Sequence, residues 1–147
     1  MKSKLLQHGQ EKTWMVVFET GEEPVSGLLA FAREHHLAAS RFSAIGAFSS
    51  VELAYFDIEK RDYEHIPIPE QLEVLSLLGD ITLGDSGPKV HAHVVLGKRD
   101  GSAWGGHLLK ATVRPTLEVM ISESPVHLAR RHDPATGLAL IDPNVPT

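Results

Sequence analysis

Residues 89–109 read KVHAHVVLGKRDGSAWGGHLL, and this stretch constrains the fold more than any other. The apolar Val94-Val95-Leu96 after His91-Ala92-His93 predicts a strand. Side chains on a strand alternate between faces, so His91 and His93 share one. Asp100-Gly101 then signals a hairpin, and Trp104-Gly105-Gly106 leads back to a third histidine, His107.

The length of the hairpin loop decides whether His107 joins the other two. A three-residue loop, Arg99-Asp100-Gly101 with Gly101 left-handed, sets His93 opposite His107. A two-residue Asp100-Gly101 turn shifts the pairing by one and sends His107 to the other face. A bulge at Gly105-Gly106 would also displace it. The sequence permits a three-histidine cluster and leaves these registers open.

The remaining segments predict more strands than helices. Trp14 to Phe18 is a continuous apolar run, expected to be a strand buried on both faces. Glu22 and Glu23 before Pro24 suit a helix start, and Val25, Leu28, Leu29 and Ala32 follow helical spacing over residues 24–36. His35 and His36 fall in its last turn, where packing at the helix end accounts for them. Ser40 to Phe48 and Val51 to Ile58 read as two strands about a bend at Ser49-Ser50. Tyr63 to Ile68 reads as a returning edge strand ended by prolines. Gln71 to Leu83 is the longest strand candidate. Leu72, Val74, Ser76 and Leu78 face one way and Leu75 and Leu77 the other, so both faces need cover. Gly84 to Pro88 reads as a flexible loop able to gate a site beside His91. Ala111 to Arg114 and Thr116 to Ser122 continue the sheet. The end, with Pro125, Pro134, Pro143 and Pro146, reads as a tail with one extended piece, Gly137 to Ile141. The class is α+β: a mainly antiparallel sheet with one main amphipathic helix.

With 147 residues, no repeat and no internal boundary, residues 1–147 are expected to form one domain. The chain has no cysteine, which removes disulfides and thiolate ligands. No apolar run reaches the roughly 20 residues a membrane span needs. Met1 to Leu6 lacks the apolar core of a signal peptide, so a cytoplasmic protein is expected. The net charge of −5 opposes nucleic-acid binding, and Lys98-Arg99 and Arg130-Arg131 read as solvated surface.

The order of these segments resembles a known family. The segments are Ile45-Gly46-Ala47-Phe48-Ser49-Ser50-Val51-Glu52-Leu53-Ala54-Tyr55-Phe56-Asp57, Leu72 to Ile81, His91-Ala92-His93-Val94, Gly105-Gly106-His107-Leu108 and Thr116 to Val119. Together they resemble the plants-and-prokaryotes-conserved (PPC) domain over roughly residues 10–142. The resemblance implies a curved, barrel-like antiparallel sheet and a homotrimer. It also implies, by analogy with some prokaryotic members, a metal on His91, His93 and His107. Plant members follow AT-hook DNA-binding motifs, but this chain has no Arg-Gly-Arg core.

Neutral imidazoles suit zinc, copper, nickel and iron, and availability favours zinc. His93, between the other two ligands, is expected to matter most to affinity. Three protein ligands leave one position open to a small molecule, as in catalytic zinc sites. A cupin-like site is opposed by the lack of a glutamate in Val94 to Lys98. A phosphate-cradling loop is opposed by Asp85 and the missing Gly-Lys-Ser/Thr. Glu118 and Asp80 lie on predicted strands as candidate bases, with salt-bridged or surface roles the simpler reading. Three functions follow: a homotrimeric metal-binding module with a sensory or ligand-binding role, a zinc-dependent hydrolase or lyase acting on a small molecule, or a DNA-associated regulator.

Overall fold

The structure, a computed structural model, describes residues 1–7 and 9–144. Pro146, assigned above to the tail, lies outside them. The described residues form one nine-stranded sheet, almost wholly antiparallel, and one helix. The strands are β1 (Lys2–Gln7), β2 (Lys12–Glu19), β3 (Ala39–Asp57), β4 (Asp62–Ile68), β5 (Leu72–Gly84), β6 (Gly87–Gly97), β7 (Ala103–Glu123), β8 (Ala129–His132) and β9 (Ala139–Asp142). Strand β3 pairs with β7 and β5, β5 pairs with β6, and β6 pairs with β7, so these four strands close a ring. The pair β1–β2 extends from β7, β4 from β3, and the β8–β9 hairpin from β5. The sheet is therefore ring-like and curved rather than a plain barrel.

The core is the inner face of this ring. Val16, Phe18, Phe48, Leu53, Leu77, Ile81, Leu96, Leu117 and Ile121 are essentially fully buried. Helix α1 (Pro24–His35) adds Leu28, Phe31 and Ala32 to the same cluster. Its start is fixed by Glu23, whose carboxylate accepts from the backbone N–H of Val25 (3.0 Å) and Ser26 (2.7 Å), with Pro24 in the first turn. Left-handed His36 caps its C-terminus, and the His35 ring packs 4.2 Å from Phe31 and 5.7 Å from Trp14.

Several expectations need correction, and bulges explain most of them. The two strands expected about Ser49-Ser50 are one 19-residue strand, β3, that stays paired through register shifts. In β5 a register shift between Val74 and Ser76 switches faces. Leu72, Val74 and Leu77 point into the core, while Leu75 and Leu78 are 55% and 60% exposed. Only one face of β2 is core, since Met15 and Val17 are half-buried. The loop expected to gate the site is a tight two-residue turn, with Gly84 paired to Gly87. The expected tail contains the β8–β9 hairpin, tied to the body by Leu83 N–H donating to Leu128 O (2.8 Å) and Leu128 N–H to Ala38 O (3.1 Å).

Candidate metal centre

The hairpin joining β6 to β7 takes the three-residue form. Lys98 N–H donates to Ser102 O at 2.8 Å, Gly101 N–H donates to Lys98 O at 3.0 Å, and Gly101 has φ of 84°. The loop is therefore Arg99-Asp100-Gly101, and pairing runs without a break from Gly97↔Ala103 to His93↔His107. The side chain of Asp100 accepts from Ser102 N–H (2.9 Å) and Oγ (2.6 Å), which holds the turn. Gly105 and Gly106 stay in register.

This register brings His91, His93 and His107 together. One ring nitrogen of each lies within 4.8 Å of the others. Ring centroids are 5.1 Å apart for His91–His93, 5.1 Å for His91–His107 and 5.4 Å for His93–His107. The triangle is nearly equilateral, so His93 is not central as its place in the sequence suggests. The cluster sits on the outer face of the ring, because Ala92, Val94 and Leu96, which alternate with His91 and His93, are the core-facing residues. The Tyr63 ring stands 5.0 Å from His107 and 5.1 Å from Phe56, forming a wall on one side. Leu78 is the cross-strand neighbour of His93 on the other.

Asp80 and Arg130 complete the surroundings. The turn at Gly84–Gly87 fixes Asp80 opposite His91, and Asp80 Oδ2 lies 3.4 Å from His91 Nδ1. Arg130 donates to Asp80 Oδ1 (2.6 Å), Thr82 Oγ1 (2.9 Å) and Ala139 O (3.0 Å). Its side chain is only 9% exposed, which corrects its reading as solvated surface. Two local signals would have located Asp80: the two-residue Asp85-Ser86 turn and counting back along both strands. No local signal marks Arg130, since its burial depends on a hairpin docking far along the chain. Asp80 is engaged by Arg130 and faces His91, so it is salt-bridged rather than a free base. Glu118 is exposed, in a groove with Ile45, Leu75 and Met120.

The electrostatics favour neutral donors. Burial, reinforced by His91, His93 and Arg130, pushes His107 down to about 4. Burial and then His91 also lower His93. Burial would raise Asp80, but bonds to His91 and Arg130 outweigh it and hold the carboxyl below its usual range. His93 and His107, with His91 beside them, offer three imidazole donors at one point, a set that suits a borderline metal ion. An ion shared by the three would need bonds of about 2.0–2.1 Å to each nitrogen, and the nitrogens already face one another within 4.8 Å. The residues therefore fit a bound metal.

The sequence profile of the Plants and Prokaryotes Conserved (PCC) domain matches residues 6–125. A metal-containing protein from Archaeoglobus fulgidus is 38% identical and superposes with a TM-score of 0.83, over 88% of this chain and 92% of that one. A Bacteroides thetaiotaomicron protein provisionally named as DNA-binding is 26% identical with a TM-score of 0.85, over 95% of this chain and 96% of that one. The Bifunctional protein GlmU of a Synechococcus species is 32% identical over 132 residues, 88% of this chain. The chain spans about one fifth of the length of the curated relatives it matches.

Proposed function

The chain belongs to the Plants and Prokaryotes Conserved (PCC) domain family, and from that premise we propose that it is a metal-binding module with zinc on His91, His93 and His107. The observation that carries this reading is the convergence of three imidazoles with a ring nitrogen of each within 4.8 Å of the others, with Asp80 behind His91. The metal-containing relative, 38% identical, supports it. Zinc bound there would supply a Lewis-acidic position open to a small ligand. The protein's own residues would orient His91 through Asp80 and wall the site with Tyr63 and Leu78.

A binding or sensory role fits better than hydrolysis or elimination. A free base beside the ion would favour a reaction, and Asp80 is instead engaged by Arg130 and lies against His91. The match to one fifth of longer relatives also supports a module used within larger proteins. Direct DNA binding is the weaker reading, because the chain carries a net charge of −5.

We also propose a homotrimer. The outer face exposes Ile45 (61%), Leu75 (55%), Leu78 (60%) and Met120 (37%) along one groove, with Val95 (44%) nearby. A cluster of this kind favours cover by another chain, and the PPC resemblance supports the stoichiometry. Elemental analysis of protein purified without chelators tests the metal reading. One zinc per chain is expected, and protein that stays metal-free after exposure to zinc would contradict it.

A further inference from the structure

We propose that Arg130, carried by the C-terminal hairpin, is a positioning residue for the metal centre: it holds Asp80 so that Asp80 keeps the His91 proton on Nδ1 and leaves Nε2 for the ion. This rests on the metal reading and adds to it a residue outside the matched family segment, residues 6–125.

The geometry carries the inference. A neutral imidazole has one donor and one acceptor nitrogen, and the partner of one nitrogen decides the state of the other. The Asp80 carboxylate can only accept, and its Oδ2 lies 3.4 Å from Nδ1, an ion-pair distance at which its negative charge favours a proton on Nδ1 over a lone pair. That acceptor stays in place because Oδ1 is taken by Arg130 at 2.6 Å. Arg130 is itself immobilised: Nε donates to Thr82, which is fully buried, and Nη1 donates to Ala139 O on β9. One guanidinium thus spans β5, β8 and β9 with three donors in a rigid fork. Its positive charge also balances the carboxylate, so Asp80 serves as an oriented acceptor without adding net charge beside the site. Partners of this kind behind metal-binding histidines typically change affinity by about 10–100-fold.

The test compares wild type, Asp80→Asn and Arg130→Met by zinc calorimetry at pH 7.5. It adds nitrogen NMR of the His91 ring on metal-free protein. Asp80→Asn keeps shape, and its oxygen can stay on Arg130. The amide then offers a donor to Nδ1 and favours Nε2–H, the wrong form for binding through Nε2. The expected result is Nδ1–H in wild type, a shift toward Nε2–H in Asp80→Asn, and zinc affinity lowered on the order of 10–100-fold in Asp80→Asn and about tenfold in Arg130→Met. Zinc affinities of both variants within twofold of wild type, with an unchanged His91 tautomer, would overturn the inference while leaving the metal reading intact. Wild type that binds no zinc would overturn the metal reading instead. If Arg130→Met fails to fold, the Asp80→Asn tautomer and affinity decide the matter.

Discussion

His93 and His107 are direct partners across the β6–β7 hairpin, with ring centroids 5.4 Å apart on the outer face of the sheet. A loop one residue shorter would turn His107 toward the opposite face, since side chains alternate with a period of two. The three residues Arg99-Asp100-Gly101 therefore determine whether a third ligand exists. Gly101, at φ 84°, supplies the left-handed step that closes the loop.

Gly46 should tolerate no side chain. Its φ is 152°, and an added Cβ would lie 2.2 Å from Thr116 O and 2.8 Å from Leu117 Cα. Both neighbours are backbone of β7 and cannot swing away. Gly46→Ala should cost about 2–4 kcal/mol in urea unfolding. A change below about 0.5 kcal/mol would mean that β3 and β7 do not approach as described.

Zinc should leave as the solution becomes more acidic. Protons and the metal compete for the same imidazole lone pairs, so falling pH can only weaken binding. Burial first, then neighbouring charge, lowers His93 and takes His107 to about 4 in the metal-free protein. Those two donors are thus already neutral at pH 7.5, and affinity should change little between pH 8 and 7. It should fall steeply only well below the ordinary histidine value of about 6.5, as His93 and His107, the latter at about 4, take up protons. Calorimetry across pH 8 to 4 checks this. Affinity that rises on acidification would show that the imidazoles are not the ligands.

In solution the protein should be a trimer, and Leu75→Glu should break it. Leu75 is 55% exposed in the groove with Ile45, Leu78 and Met120, so a buried charge there would face an apolar partner. Light scattering at micromolar concentration should give three chains for wild type and fewer for the variant. A wild-type monomer would contradict the proposal.

Duplex DNA should bind no better than non-specifically, with Kd near 10⁻⁴–10⁻⁶ M at physiological salt. The motivation is the net charge of −5 and the absence of an Arg-Gly-Arg core. Nanomolar binding in a polarisation assay would restore the DNA reading.

The parts legible in the sequence were those set by local chemistry. Glu23-Pro24 marked the helix start, Pro67 and Pro69 marked β4 as an edge, and Asp100-Gly101 marked the hairpin. The face switch in β5 was not legible, because a bulge depends on the partner strand and leaves no local pattern at Leu75. The same holds for β3, where pairing with β7 carries the strand through Ser49-Ser50. At the site, the histidines could be read from alternation and loop length. Asp80 needed a second hairpin register, and Arg130 needed the docking of β8, a contact 50 residues away in the chain.

Zinc calorimetry at pH 7.5 on wild type and His93→Ala decides whether the three histidines hold the ion. His93 is one corner of a nearly equilateral triangle, so its loss leaves two donors and no tripod. The exposed ring contributes little to the core, and the fold should survive by circular dichroism. One site per chain is expected in wild type, and a loss of at least 100-fold in the variant, about 2.7 kcal/mol. Equal zinc binding by the two proteins would contradict it.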